Sequence, residues 1–234
     1  MQQYFAKDEK LTLLKTDCHH IKNVMRMKVN DIIKVVYNDT IYLCKITSLK
    51  DKVDFKVIDK ENKKQDSVKI MCAFSLIKEQ KQDYLIQKST ELGAYSFYPI
   101  KTNRSIIKID EQKKDKKIDR WTKIAKEASE QSFRSYVPKI NDIKTIKELK
   151  DINCDLKLYC SLNKNTKNLK KVLQKNNKCD TILIVIGPEG GFDPLEDEYL
   201  SKNGFIAVSL GSNVLRSETA MVSAISMINY EFER

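Results

Sequence analysis

Five of the six glycines in this 234-residue chain fall between residues 187 and 211. Glycine is used where φ must be positive or where backbone must approach a neighbour closely. Such a cluster in an otherwise glycine-poor chain therefore marks one region of exposed backbone. Gly187-Pro188-Glu189-Gly190-Gly191-Phe192 directly follows Thr181–Ile186, a run apolar enough to be a strand buried on both faces. Gly211 directly follows a second strand-like run, Phe205–Leu210. Loops at the C-terminal ends of parallel strands are where α/β proteins bind ligands, so two such loops predict one backbone-lined pocket. A plain tight turn is the alternative, although Pro188 and Glu189 inside it specify a shape rather than a flexible link.

The same glycine map excludes several chemistries. There is no GxxxxGK[ST], hence no P-loop. There is no GxGxxG after an early strand, so neither a dinucleotide fold nor the commoner methyltransferase fold is supported. His19 and His20 are the only histidines, a poor basis for a Ser-His-Asp hydrolase.

Along the chain the texture changes once. Asp17 is placed to cap a short helix whose Ile21, Val24 and Met25 share a face. Strand-like runs follow at Ile32–Tyr37, Ile41–Leu49, Val53–Ile58 and Val68–Phe74, with Asn38-Asp39 as a hairpin turn. Closely spaced strands of this kind predict a small β-barrel over residues 1–72. Helical patterns then alternate with apolar runs, which predicts an α/β domain with a mostly parallel sheet over 73–234. Its expected elements are a helix over Gln80–Leu92 stopping at Gly93, a strand Ala94–Ile100, an exposed charged loop Asp110–Asp119, and a helix Arg120–Phe133. Strands at Leu156–Cys160 and Thr181–Ile186 and a last helix from Ser217 to about Tyr230 complete it.

No run approaches the roughly 18–20 apolar residues of a membrane helix, and the first ten residues carry no apolar stretch, so neither membrane association nor a secretory leader is expected. A cytoplasmic location follows. The six cysteines form no CxxC pair; six small buried thiols are expected, and no metal. Net charge is +11, of which +7 lies in residues 101–150, with 15 Lys or Arg against 8 Asp or Glu. A concentrated basic segment suits a phosphate backbone; a Lys-rich solvated face is the competing explanation. Arg120, Lys123 and Lys126 recur at three-residue spacing, so one helix face would present them together. With Arg134 and the lysines of 113–117 they would form a track for a phosphate backbone, RNA under the resemblance given below, extended by Arg26 and Lys28. Pairing with Glu127 and Glu130 is the alternative. His19 and His20 could touch RNA or simply pack, and Trp121 is expected in the core or at a subunit contact.

Five segments in order resemble the bacterial 16S rRNA uridine N3-methyltransferase family of the SPOUT superfamily, over nearly the whole chain. They are His20–Arg26, Gln87–Gly93 followed by Pro99–Ser105, Asp119–Arg134 with Pro138, Ile186–Phe192, and Leu210–Ala220. The chain departs from the family at three places. Asn30-Asp31 stands for Gly-Asp, Asn103-Arg104-Ser105 for Glu-Arg-Ser, and Gly211-Ser212-Asn213-Val214-Leu215-Arg216 for Gly-x-Arg-Ile-Leu-Arg. The resemblance implies a PUA-like N-terminal barrel, a SPOUT domain with a C-terminal trefoil knot, a homodimer with shared sites, and S-adenosylmethionine as cofactor. It implies methylation of one uridine N3 in 16S rRNA within the small ribosomal subunit.

Under that resemblance the adenosine is expected on the backbone of Ile186, Gly187, Pro188, Glu189, Gly190 and Gly191 and of Leu210, Gly211, Val214 and Leu215. The leucines and valine would add an apolar wall, or serve as core. Uridine N3 carries a proton and is a poor nucleophile until it leaves. Arg104 and Arg216 are the candidates for stabilising the resulting anion or gripping phosphate, Glu189 for base or cofactor contact, and Glu218 for a structural place near a helix N-terminus. A related tRNA methyltransferase and a non-catalytic rRNA-binding assembly factor are the rival readings. The latter would have no need of both glycine loops.

Overall fold

The structure, a computed structural model, describes residues 1–62, 68–107, 109–163 and 165–232. Its contacts divide the chain into two units, residues 1–65 with 126–137 and residues 66–125 with 138–234. Among the described residues no helix is long and apolar enough to cross a membrane.

In the first unit, strands β1 (Gln2–Phe5), β2 (Ile32–Tyr37), β3 (Thr40–Ser48) and β4 (Asp54–Asn62) form a sheet in that order, with β1 parallel to β2. The β2–β3 hairpin turns on Asn38 (φ 44°) and Asp39 (φ 59°), the two left-handed residues that a tight hairpin needs. Helix α1 (Lys15–His19) widens into a π-turn over His20–Val24. Asp17 lies inside its first turn and does not cap it; Leu14 holds the cap position, with no side-chain hydrogen bond. The chain leaves this segment through Arg26 at φ 51°, with the Met27 N–H donating to the Ile21 carbonyl. Asn30, where the resembled family has glycine, takes φ 79°, a conformation asparagine tolerates better than most residues. Ile21, Ile33 and Ile46 are fully buried beneath the sheet, each contributing about 1.5–3 kcal/mol.

The second unit carries an eight-stranded sheet. Its strands are β5 (Lys69–Ser75), β6 (Ala94–Lys101), β7 (Lys139–Ile140), β8 (Lys144–Thr145), β9 (Leu156–Cys160), β10 (Lys167–Asn168), β11 (Thr181–Ile186) and β12 (Ile206–Ser209). The order is β10-β12-β9-β11-β5-β6-β7, with β8 also on β6, and every pairing is parallel. Strand β5 overturns an expectation. The sequence pattern puts its residues in the small barrel, yet they pair with β11 and β6 in the middle of the large sheet. The expected boundary at residue 72 therefore falls inside a strand. The physical reason is that Ile70–Ala73 is continuously apolar, as a strand covered on both faces must be, whereas a half-exposed barrel strand alternates.

Helices α2 (Glu79–Glu91), α3 (Glu111–Gln131), α4 (Leu169–Lys175), α5 (Pro194–Lys202) and α6 (Ser217–Phe232) complete the chain. Both α2 and α4 pack on α6, and Asn229 Nδ2 ties α6 to the Leu92 carbonyl at 2.6 Å. Helix α3 corrects a second expectation, because residues 111–119 of the charged stretch form its first half and are not a loop. Its polar pattern hides the helix, but Lys117 and Arg120 bind Glu79 and Asp83 of α2, which compensates for the missing apolar stripe there. The residues of α3 from Lys126 onward group with the first unit. On one face of the sheet Met71, Ala73, Leu183 and Val185 pack with Leu149, Leu200 and Phe205. Two cysteines, Cys44 and Cys72, are fully buried, while the other four are only half-buried, so the expectation of six buried thiols fails for four of them.

Candidate active site

The two glycine loops leave the same C-terminal end of the parallel sheet without being direct neighbours. Strand β9 lies between β11 and β12 and pairs with both, so a third loop, Ser161–Asn163, emerges between them. Sequence inspection misses it because it carries no glycine and no recognisable spacing.

The first loop is fixed from several sides. Ser217 Oγ, at the start of α6, donates to the Gly187 carbonyl at 2.7 Å, and Arg104 Nη1 donates to the Gly190 carbonyl at 2.9 Å. Within the loop, the Gly191 N–H donates to the Pro188 carbonyl at 2.8 Å. A Cβ at Gly187 would stand 3.2 Å from the Phe192 ring, so that glycine is demanded by close approach. Gly191 (φ 66°) and Gly211 (φ 149°) are demanded by backbone conformation, and both face open space. Ile186, Gly187 and Pro188 are buried, leaving Glu189, Gly190 and Gly191 as the loop's accessible part. In the second loop Leu210 and Leu215 are half-buried, while Val214 is 74% exposed and is therefore not core.

Arg104 comes from the segment after β6, and each of residues 103–105 is anchored there by hydrogen bonds. The Asn103 N–H donates to Glu196 Oε1 at 2.8 Å, and Asn103 Nδ2 donates to Asp193. Ser105 Oγ donates to the Leu76 carbonyl at 2.6 Å. Three consecutive residues thus staple this segment to the glycine loop, the start of α5 and the end of β5, which brings Arg104 to Gly190. Asp193 caps α5 and shares a capping box with Glu196. Arg216 is exposed ahead of α6, and among the described residues its guanidinium has no partner. Glu218 is buried in the first turn of α6, a position favourable for a carboxylate.

Glu189 does not stand alone. Lys81 Nζ of α2 lies 2.9 Å from its Oε1, and this hydrogen bond, with the nearby Lys81 and Lys78 charges, holds the carboxyl below its usual range. A cleft of about 440 Å³ adjoins the loops, lined by Arg104, Asn163, Phe192, Pro194, Asp197 and Lys202 among others. Of the residues expected to act in catalysis or cofactor binding, only Arg104 lines it. Its charges are largely satisfied: Asp197 accepts from Ser161 Oγ at 3.0 Å and Asn163 Nδ2 at 2.8 Å, and Lys202 pairs with Glu198 at 2.6 Å.

Part of the expected RNA track is taken up by contacts within the protein. Arg134 is 5% exposed and stacks 4.3 Å from the Tyr136 ring, so it is not a surface cation. Lys126 sits between Asp17 (2.9 Å) and Glu130 (2.6 Å), the pairing alternative realised in part. Arg120 is engaged by Asp83 and Glu79. Arg26, Lys28 and Lys123 are exposed. Asn23 Nδ2 donates to His19 Nδ1 at 2.8 Å, and His20 Nδ1 shares a hydrogen bond with the Tyr4 hydroxyl at 3.0 Å. Trp121 is buried edge-on to Phe74, a core residue. Among the described residues no group of three or more His, Cys, Asp or Glu is placed to hold a metal.

Known proteins resemble this chain along its whole length. Residues 64–229 match a family described as an RNA methyltransferase domain, and residues 15–58 match an RNA methyltransferase PUA domain. The chain is 36% identical to ribosomal RNA small subunit methyltransferase E of Bacillus subtilis (strain 168), covering 100% of this chain and 98% of that one. It is 31% identical to the protein of the same name from Mesomycoplasma hyopneumoniae (strain 232), covering 95% and 96%. Among solved structures, ribosomal RNA small subunit methyltransferase E from Neisseria gonorrhoeae bound to S-adenosyl methionine superposes with a TM-score of 0.87 at 25% identity, over 98% of this chain and 97% of that one. A putative methyltransferase from Legionella pneumophila, in complex with bound cofactor SAM, gives 0.87 at 26% identity, over 97% and 96%.

Proposed function

The chain belongs to the ribosomal RNA small subunit methyltransferase E family, and from that premise we propose that it methylates N3 of one uridine in 16S rRNA of the small ribosomal subunit. The carrying observation is the convergence at one end of the sheet of two glycine loops and Arg104, with Arg104 bound to the Gly190 carbonyl. The cofactor is S-adenosylmethionine, as in the solved relatives, and the residues fit it. Open backbone at Gly191 and Gly211 beside half-buried Leu210 and Leu215 and exposed Val214 suits a flat adenine, which needs hydrogen bonds at its edge and apolar contact on its face. Ile186–Gly191 and Leu210–Leu215 would hold it, and when bound it supplies an electrophilic methyl on sulfur.

The protein's own contribution is to make N3 nucleophilic and to aim it. Loss of the N3 proton spreads negative charge onto the flanking carbonyl oxygens. Arg104 and Arg216 are assigned to that charge or to the adjoining phosphate. Glu189, ionised and held by Lys81, is a weak base, so its assigned role is anchoring the cofactor loop. Arg26, Lys28 and Lys123, exposed as they are, remain assigned to RNA, with Arg26 and Lys28 on the PUA unit. The same reading includes a trefoil knot in the C-terminal part, as the family resemblance implies. It includes a homodimer, supported by Met227 and Tyr230 of α6, which are 40% and 81% exposed, and a cytoplasmic location alongside the ribosome.

Transfer of a labelled methyl group to small subunits lacking the modification tests this, with free rRNA and tRNA in parallel. The expected result is label on a single 16S uridine, with a reverse-transcription stop there because an N3 methyl blocks base pairing. Label confined to tRNA would select the rival enzyme reading, and absence of label on every RNA would remove the enzymatic one.

A further inference from the structure

The chain's most one-signed segment lies outside every motif above. Between Leu162 and Cys179 there are six lysines and neither Asp nor Glu. Lys164 falls outside the described residues; Lys167, Lys170, Lys171, Lys175 and Lys178 are all exposed. Among the described residues none of these five is in an ion pair. Helix α3 behaves differently, with Lys117, Arg120 and Lys126 all bound to carboxylates.

Local structure explains the display. Helix α4 buries Leu169, Val172 and Leu173 and turns Lys170, Lys171 and Lys175 outward. Asn168 caps it by accepting from the Lys171 N–H at 3.3 Å. Lys171 and Lys175 are four residues apart, where like charges repel, and among the described residues no carboxylate pairs with either. An anionic partner would. Placement sharpens the point: Lys167 and Asn168 pair with Val208 and Ser209 of β12, the strand that runs directly into Leu210. Neighbouring strands are about 4.8 Å apart, so Lys167 lies beside the strand that enters the second glycine loop, and α4 with its lysines starts from there. At the start of the same segment Asn163 lines the cleft together with Arg104.

We propose that the β10–α4 edge is a phosphate-binding surface that grips the small-subunit RNA beside the methylated nucleotide. This rests on the ribosomal RNA reading above. RNA fits better than a protein partner because protein interfaces are depleted in lysine and anchored by aromatic and apolar residues. This edge offers lysine, asparagine and glutamine, with Leu162 as the large apolar residue exposed nearby. Contacts of this kind set register on the RNA without reading sequence.

The test compares the full-length protein with its K167Q/K170Q/K171Q/K175Q variant and with the matching four-arginine variant. Affinity for small subunits is measured across a salt series, and S-adenosylmethionine affinity serves as the folding control. The glutamine variant should bind subunits about tenfold or more weakly near physiological salt. Its log–log salt slope should fall by about 0.7–0.9 for each phosphate that is no longer neutralised, and the arginine variant should restore both. An unchanged affinity and slope in the glutamine variant would overturn the proposal, as would an arginine variant equally impaired. Failure of the functional reading looks different: the unaltered protein would then methylate no subunit RNA, whatever the salt series shows.

Discussion

Arg104 is an exposed side chain whose guanidinium reaches the Gly190 carbonyl at 2.9 Å. It is therefore a cheap residue to remove for the fold and a costly one for the proposed chemistry. Removing one donor from a developing anion typically costs about 10²–10³ in rate. Arg104→Ala should lower methyl transfer to small subunits by at least about a hundredfold, with cofactor binding retained. A loss below about threefold would take Arg104 out of the machinery. Cys44 gives a prediction of a different kind. It is fully buried, and burial pushes its thiol up to about 11. The thiolate is the reactive form, and at pH 8 about one thiol in a thousand would carry it. Iodoacetamide at pH 8 should leave Cys44 unmodified in the native protein and label it after unfolding, read by peptide mass spectrometry. At this scale the sequence is informative where backbone geometry selects the residue. Asn38-Asp39 is legible as a turn because few residue pairs adopt two positive φ angles. Arg134 reads as a surface cation because nothing in a sequence distinguishes an arginine on RNA from one stacked on Tyr136.

Elements differ in how locally they are specified. Helix α5 is written into its own start: Asp193 before Pro194, then Glu196, is a capping box followed by a good first residue. The bond from Asn103 and the Glu196 N–H hold the Asp193 carboxyl below its usual value of about 3.9. A depressed folded-state value means that this charge stabilises above the unfolded value and that its contribution disappears as pH falls through the folded one. Asp193→Asn should accordingly melt lower than the unaltered protein at pH 6 and at nearly the same temperature near pH 2. A difference that persists at pH 2 would assign the effect to shape rather than charge. Helix α4 depends on Asn168 as its cap, and Asn168→Ala should cost about 1 kcal/mol in urea unfolding. By contrast, α3 and β5 draw their identity from neighbours. The first half of α3 is stabilised by carboxylates of α2, and β5 is covered on both sides by a sheet whose other strands lie elsewhere in the chain.

For the whole molecule, the family assignment and the fold agree over the full length of the chain. The homodimer is the assembly-level proposal with a direct check. Met227 and Tyr230 sit exposed near the end of α6, where large apolar side chains cost little in a monomer and contribute much at an interface. The unaltered protein should sediment as a dimer, and Met227→Glu with Tyr230→Glu should shift it to monomer while the monomer stays folded by circular dichroism. A native protein that sediments as monomer at micromolar concentration would end the proposal.

The sequence by itself determined the two glycine loops, the hairpin, most strand and helix positions and, through five ordered segments, the family. These are features fixed within a few residues, where φ, capping and apolar periodicity act. Only the tertiary structure decided which sheet owns β5, that the loops straddle β9, that Asn103 and Ser105 staple Arg104 into place, and which lysines remain unpaired. Those outcomes depend on pairing between residues 26 to more than 100 positions apart. A local pattern carries no record of which distant partner neutralises a charge or covers a face.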